Sequence, residues 1–168
     1  MKEPSQLFTK ESPRQIIFED FKIDLPIKGG WGYDFGSACV IDKNDPIVST
    51  SIPFNGVSIE YVFVEKRIYE EMIIFREDNE KYSGIRWELD KQELLFNEDK
   101  AYDKLVFSIV GFSDEVWDEL TSRFESLKNS GKLDLLPELD AYRESKAYKF
   151  TRDYYFDITS FYGKESKC

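Results

Sequence analysis

Alternation of apolar and polar positions is the leading signal along this chain. In VSIEYVFV, Val57, Ile59, Tyr61 and Phe63 share one face, and their β-branched and aromatic content suits a half-buried pleated surface. The pattern predicts two strands, at 57–64 and 68–76. A three-four spacing through Val57, Tyr61, Val64, Ile68, Met72 and Phe75 is the competing reading, a single helix over the same residues. IRWEL (85–89) alternates through Ile85, Trp87 and Leu89, and KLVFSIVGF (104–112) reads as a further strand. The intervening DKQELLFNEDKAYD has no clear period. Towards the C-terminus Tyr148, Phe150, Tyr154, Phe156 and Ile158 lie on one face, with Arg152 the only charge among them. That stretch predicts one long strand, or two with a bend.

The period changes after Ser113. Trp117, Leu120, Phe124 and Leu127 form a helical stripe, and Ser113 is placed to cap it. Asp114, Glu115, Asp118 and Glu119 put negative charge at the positive end of the helix dipole, Lys128 sits in the last turn, and Gly131 is the expected stop. A second, short helix is expected near 137–147. Strands joined by turns rather than by helices argue against a parallel βαβ sheet. The expected fold is therefore α+β, a mainly antiparallel sheet with one clear amphipathic helix (about 114–130) packed on one face. Residues 1–13, polar and bearing Pro4 and Pro13, are expected to be a flexible N-terminal segment, and 14–168 a single globular domain.

Composition narrows the function. Apolar residues make up 41% of the 168, enough for a sizeable core, and the net charge is −10. Residues 1–84 carry ten Lys/Arg against fifteen Asp/Glu and residues 85–168 thirteen against eighteen, so the acidity belongs to the whole domain. Such a surface repels nucleic-acid phosphates and anionic lipid and favours a basic protein partner. MKEPSQLFTK lacks the apolar core of a secretory signal, and no apolar run reaches eighteen residues, so neither secretion nor membrane insertion is expected. Cys39 and Cys168 read as two free thiols in a reducing compartment, and the expected location is cytoplasmic.

The chain has no histidine. Ser-His-Asp and Cys-His nucleophile activation, H-E-x-x-H metal sites and zinc sites built from Cys and His all fall away. Carboxylate pairs, Lys–carboxylate arrangements and oxygen-ligated cations are left. The nuclease-like pattern of an acid two residues before a lysine occurs at Asp20/Lys22, Glu98/Lys100, Glu144/Lys146 and Glu165/Lys167, as often as chance gives in a chain one-third charged. Glu70 and Glu71, on a strand, would point to opposite faces. No catalytic residue, metal ligand or cofactor is assigned.

LPIKGGWGYDFGSACVIDKNDP (25–46) concentrates three glycines in four residues. Gly30 and Gly32 begin a dinucleotide fingerprint, but its third position is Phe35, no P-loop lysine follows, and SACVID reads as a short buried strand rather than a helix. The segment is thus a turn needing glycine conformations, with Trp31 and Tyr33 folded over the core edge, or a loop that contacts a partner. On the second reading the contact residues are Trp31, Tyr33, Asp34, Asp42 and Asp45; of the tryptophans, Trp87 and Trp117 are expected to face inward. The LPIKGGWGY and DKNDP motifs resemble a segment of small uncharacterised bacterial proteins, a resemblance of about twenty residues that implies no activity. By size and acidity alone the chain is also similar to the immunity proteins that neutralise polymorphic toxins. The expected function is a non-enzymatic acidic binding protein, in its sharpest form an immunity protein against a basic nuclease-type toxin. The alternatives are a carboxylate-based enzyme or ligand-binding domain acting on a carbohydrate, and a structural or assembly subunit.

Overall fold

Five strands form one sheet in the order β1-β2-β5-β4-β3 in the computed structural model, which describes residues 3–163. β1 (Ile27–Gly29) and β2 (Cys39–Ile41) are short and antiparallel. β3 (Tyr82–Asn97) and β4 (Lys100–Ser113) form a long hairpin, and β5 (Tyr148–Asp157) lies antiparallel against β4. The one parallel contact joins β2 to β5, where Cys39 faces Phe156 and Val40 faces Asp157. Helices α1 (Pro13–Phe21), α2 (Gly56–Tyr69), α3 (Asp114–Asn129) and α4 (Leu136–Lys146) complete an α+β fold. The aperiodic DKQELLFNEDKAYD is the tip of the β3–β4 hairpin, turned by Glu98 and Asp99, both at positive φ. No helix of the described residues is long and apolar enough to cross a membrane.

The strands expected at 57–64 and 68–76 are instead α2, continued by a π-helical turn at Glu70–Ile74. Asn55 caps the helix, its side chain accepting from the Ser58 N–H at 3.0 Å. The inward face runs through Glu60, Phe63, Val64, Arg67, Ile68, Glu71 and Met72. The helix of the competing reading is therefore the one that forms: Val64, Ile68 and Met72 of its stripe are buried, while Val57, Tyr61 and Phe75 are exposed. Packing overrides strand propensity here, since α2 covers Leu105, Phe107 and Ile109 of β4 and Tyr154 and Phe156 of β5, which have almost no solvent contact. Each of the large apolar side chains so buried contributes on the order of 1.5–3 kcal/mol. In the π turn Phe75 N–H reaches back five residues to the Glu70 carbonyl at 2.9 Å, and Glu70 and Glu71, about 100° apart around the helix, are both buried. The expectation that they point to opposite faces therefore fails with the strand it assumed.

α3 begins at the expected cap, Ser113 Oγ accepting from Val116 N–H, but of its stripe only Leu120 is buried. Trp117 stacks on Phe112 and over Gly84, and is nevertheless 36% exposed; Phe124 is 42% exposed. The rest of the stripe faces α4. Ahead of α1, Leu7 is buried, its N–H bonded to the Tyr33 hydroxyl, and the Trp31 Nε1–H donates to Thr9 Oγ1. Cys168 and the Glu165/Lys167 pair lie outside the described residues.

Candidate functional site

The glycine segment crosses the edge of β5. Gly32 donates to the Ser37 carbonyl and accepts from Tyr155 N–H at 2.8 Å, at φ +87°, where a Cβ would lie 3.0 Å from the Tyr155 carbonyl oxygen. Glycine is required by that approach. The turn delivers Tyr33 onto α2, where the Arg67 guanidinium is held between the Tyr33 and Tyr154 rings, 3.9 Å from each centroid. Arg67 Nη1 donates to the carbonyls of Trp31 at 3.2 Å and Gly32 at 3.4 Å, and Nε donates to Glu71 Oε1 at 3.1 Å. Glu71 Oε2 accepts from the Tyr33 hydroxyl at 3.0 Å and lies 3.7 Å from Arg152 Nε. Burial opposes the charge on Arg67, but Glu71 and the two phenols outweigh it and hold its pKa above the ordinary value. Burial pushes both phenols up against the pull of Arg67.

Two further carboxyls on the same helical segment are buried without a cation. Glu60 faces Asp103 and Glu70 faces Asp20; burial, then the neighbouring carboxylate, pushes each up to about 9. Both are thus protonated near neutrality. Among the described residues no group of three or more Cys, Asp or Glu is placed to hold a metal ion.

Of the five residues expected to contact a partner, Trp31 is the one the fold buries. Trp31 is buried at 5% exposure with its ring against Phe63, so of that pair only Tyr33 reaches a cavity. Asp34 is exposed but folds onto its own turn, accepting from Ser37 N–H and Oγ. Asp42 accepts from Asn44 N–H and lies 3.7 Å from Lys28. Asp45 binds Arg14, which also holds Asp24. The tryptophan that meets solvent is Trp117, which alternation and stripe had both turned inward.

Trp117 belongs to a different feature. Between α3 and α4 lies a groove of about 350 Å³, floored by Trp117, Leu120, Phe124, Leu136 and Leu139, with Asp140 and Arg143 at its side. From Asp114 to Lys146 the chain has nine Asp/Glu against five Lys/Arg, so a fifth of the chain carries −4 of the −10. Arg123 is committed to Glu119 and Arg143 to Asp140, while Glu115, Asp118, Glu125, Asp134 and Glu138 are exposed and form no ion pair among the described residues. The stripe at 117–127 was legible in the sequence; that it faces outward required the fold. Neither family models, curated proteins nor solved structures give a match to this chain.

Proposed function

We propose that this protein is a non-enzymatic binding protein that docks a basic partner, and that the α3–α4 hairpin is its docking surface. The observation that carries the reading is an amphipathic α3–α4 pair whose groove leaves Trp117 and Phe124 partly open to solvent among exposed carboxylates that form no ion pair among the described residues. An amphipathic helix ordinarily buries its stripe against its own core. Here Trp117 and Phe124 are presented instead, and large aromatics are the side chains that most often anchor interfaces. Carboxylates around an apolar groove complement a segment with apolar residues on one side and Lys/Arg on the other, and their field speeds its approach. Neutralisation of a basic nuclease-type toxin, in the manner of an immunity protein, is the sharpest form of this reading.

The test is titration with a synthetic amphipathic helix bearing leucines on one face and lysines on the other, followed by backbone amide NMR shifts. Shifts confined to 114–146, and affinity falling at least tenfold between about 50 and 300 mM salt, are expected. Charge reversal of Asp118 and Glu125 to Lys should abolish binding while leaving the urea midpoint nearly unchanged, because both are exposed and lie beyond the first turn of α3. Binding that persists in this variant, or shifts that map to another face, would overturn the assignment.

A further inference from the structure

A second pocket, of about 180 Å³, opens where the glycine segment meets β5, and its lining is wholly polar: Gln6, Tyr33, Arg67, Thr151, Arg152 and Asp153. Two of these are arginines with unused donors. Arg67 is fully buried, yet its Nη2 has no hydrogen-bond partner; the buried Nε of Arg152 makes no hydrogen bond either, its ion-pair partner Glu71 Oε2 standing off at 3.7 Å. A buried guanidinium N–H left unpaired is costly, so a group that accepts from it binds with that cost recovered.

The surrounding charges decide the sign of the ligand. Glu71 is already engaged by Arg67 Nε and the Tyr33 hydroxyl and lies 3.7 Å from Arg152 Nε, and Asp153 lies 3.8 Å from Lys104. Glu3 is the remaining acid; it pairs with Arg152 Nη1, while Nη2 of the same guanidinium donates to the Pro4 carbonyl. Unlike Glu71, Glu3 is more than half exposed and sits on the segment that crosses the pocket mouth through Gln6. It is a carboxylate already resting on the outer arginine, and one that an incoming anion can displace.

The strand edge adds donors. Tyr155 N–H points away from β4, to the Gly32 carbonyl, so by alternation the N–H groups of Asp153 and Thr151 face the same edge. We infer that this pocket is a binding site for a small oxyanion, a carboxylate or phosphate group, gripped between Arg67 and Arg152 and covered by residues 3–7. Arginine forks match such groups bidentately. The volume holds an oxyanion head group with a few waters, each about 30 Å³, and is too small to enclose a whole nucleotide. The site is distinct from the α3–α4 groove, so either reading can fail without the other.

The experiment is isothermal titration of the full chain with inorganic phosphate and, separately, with acetate, at fixed ionic strength in chloride. Saturable one-to-one binding of at least one of them is expected, and the arm that saturates identifies the head group. Arg152→Gln should weaken it tenfold or more and Arg152→Lys by less, because the charge is kept and the fork lost. Glu3→Gln should tighten it several-fold by removing the competing carboxylate, a gain that a merely structural Glu3–Arg152 pair would not produce. No saturable binding of either anion, unchanged affinity in Arg152→Gln, or unchanged or weaker binding in Glu3→Gln would overturn the inference. Circular dichroism and a urea midpoint for each variant confirm that it is folded.

Discussion

Arg67 and Glu71 meet one helical turn apart, Nε 3.1 Å from Oε1, with neither side chain more than 2% exposed. Removing one partner strands the other's charge out of water, which costs about 3–5 kcal/mol. Arg67→Met is therefore expected to lower stability by about that amount, read as a shift in urea midpoint at unchanged slope. The double variant Arg67→Met/Glu71→Leu should recover part of the loss, because no uncompensated charge remains. Strictly additive losses in this cycle would refute the coupling.

Stability should fall as pH rises above about 5. Glu60 and Glu70, held up to about 9 by burial and by Asp103 and Asp20, bind more protons folded than unfolded between the ordinary glutamate range and pH 9. Each therefore contributes stability that is fully present at low pH and lost as pH climbs through the folded value, by up to about 1.4 kcal/mol per pH unit. Urea midpoints measured from pH 5 to 9 should decline, and Glu60→Gln should flatten the decline and stabilise the protein most at the alkaline end. A Glu60→Gln profile parallel to that of the unsubstituted protein would contradict this.

These buried charges explain what the sequence concealed. Hydrophobic patterning treats Glu60, Arg67 and Glu71 as outward positions, so only Val64, Ile68 and Met72 of the true inner face of α2 entered the helical stripe, and the β-branched residues nearby read equally well as alternation. Of the long hairpin only 85–89 and 104–112 were legible, its distal half 90–103 showing no period; β5 and α3 were legible from their apolar faces. Within the cationic pocket one signal was visible: Arg152 stood as the lone charge on an otherwise apolar strand face. Its partner Arg67 was hidden in a helix read as strands, and Tyr33 was singled out for a partner rather than for an arginine. The groove residues Trp117 and Phe124 were correctly placed on one stripe, but a stripe does not reveal whether the chain covers it.

Gly84→Ala should loosen the seat of α3. Gly84 has φ +59°, and a Cβ there would fall 2.4 Å from the Trp117 ring, so both backbone and indole must shift. A loss of about 1–3 kcal/mol is expected, with a changed near-ultraviolet circular dichroism band from the displaced tryptophan. An unaltered band and midpoint would show that Trp117 is not held by this contact.

Cys39 should be inert in the native state. It is wholly buried, and burial together with Glu60 pushes its thiol well above the ordinary value. In a Cys168→Ser variant, iodoacetamide at pH 8 should label nothing until urea unfolds the protein. Stoichiometric labelling without denaturant would place Cys39 at an accessible surface.

Among the described residues the strand latest in the chain, β5, is the middle one of the sheet. Until β5 emerges from the ribosome, the β1–β2 ribbon and the β3–β4 hairpin have no common neighbour, and the inner edge of β4 stays unpaired. At roughly 5–20 residues per second that edge waits several seconds for the residues that seal it. A nascent chain in that interval offers an open template to any other strand nearby. Slowing elongation across α3 and α4 should lengthen that exposure and increase aggregation of the newly made chains.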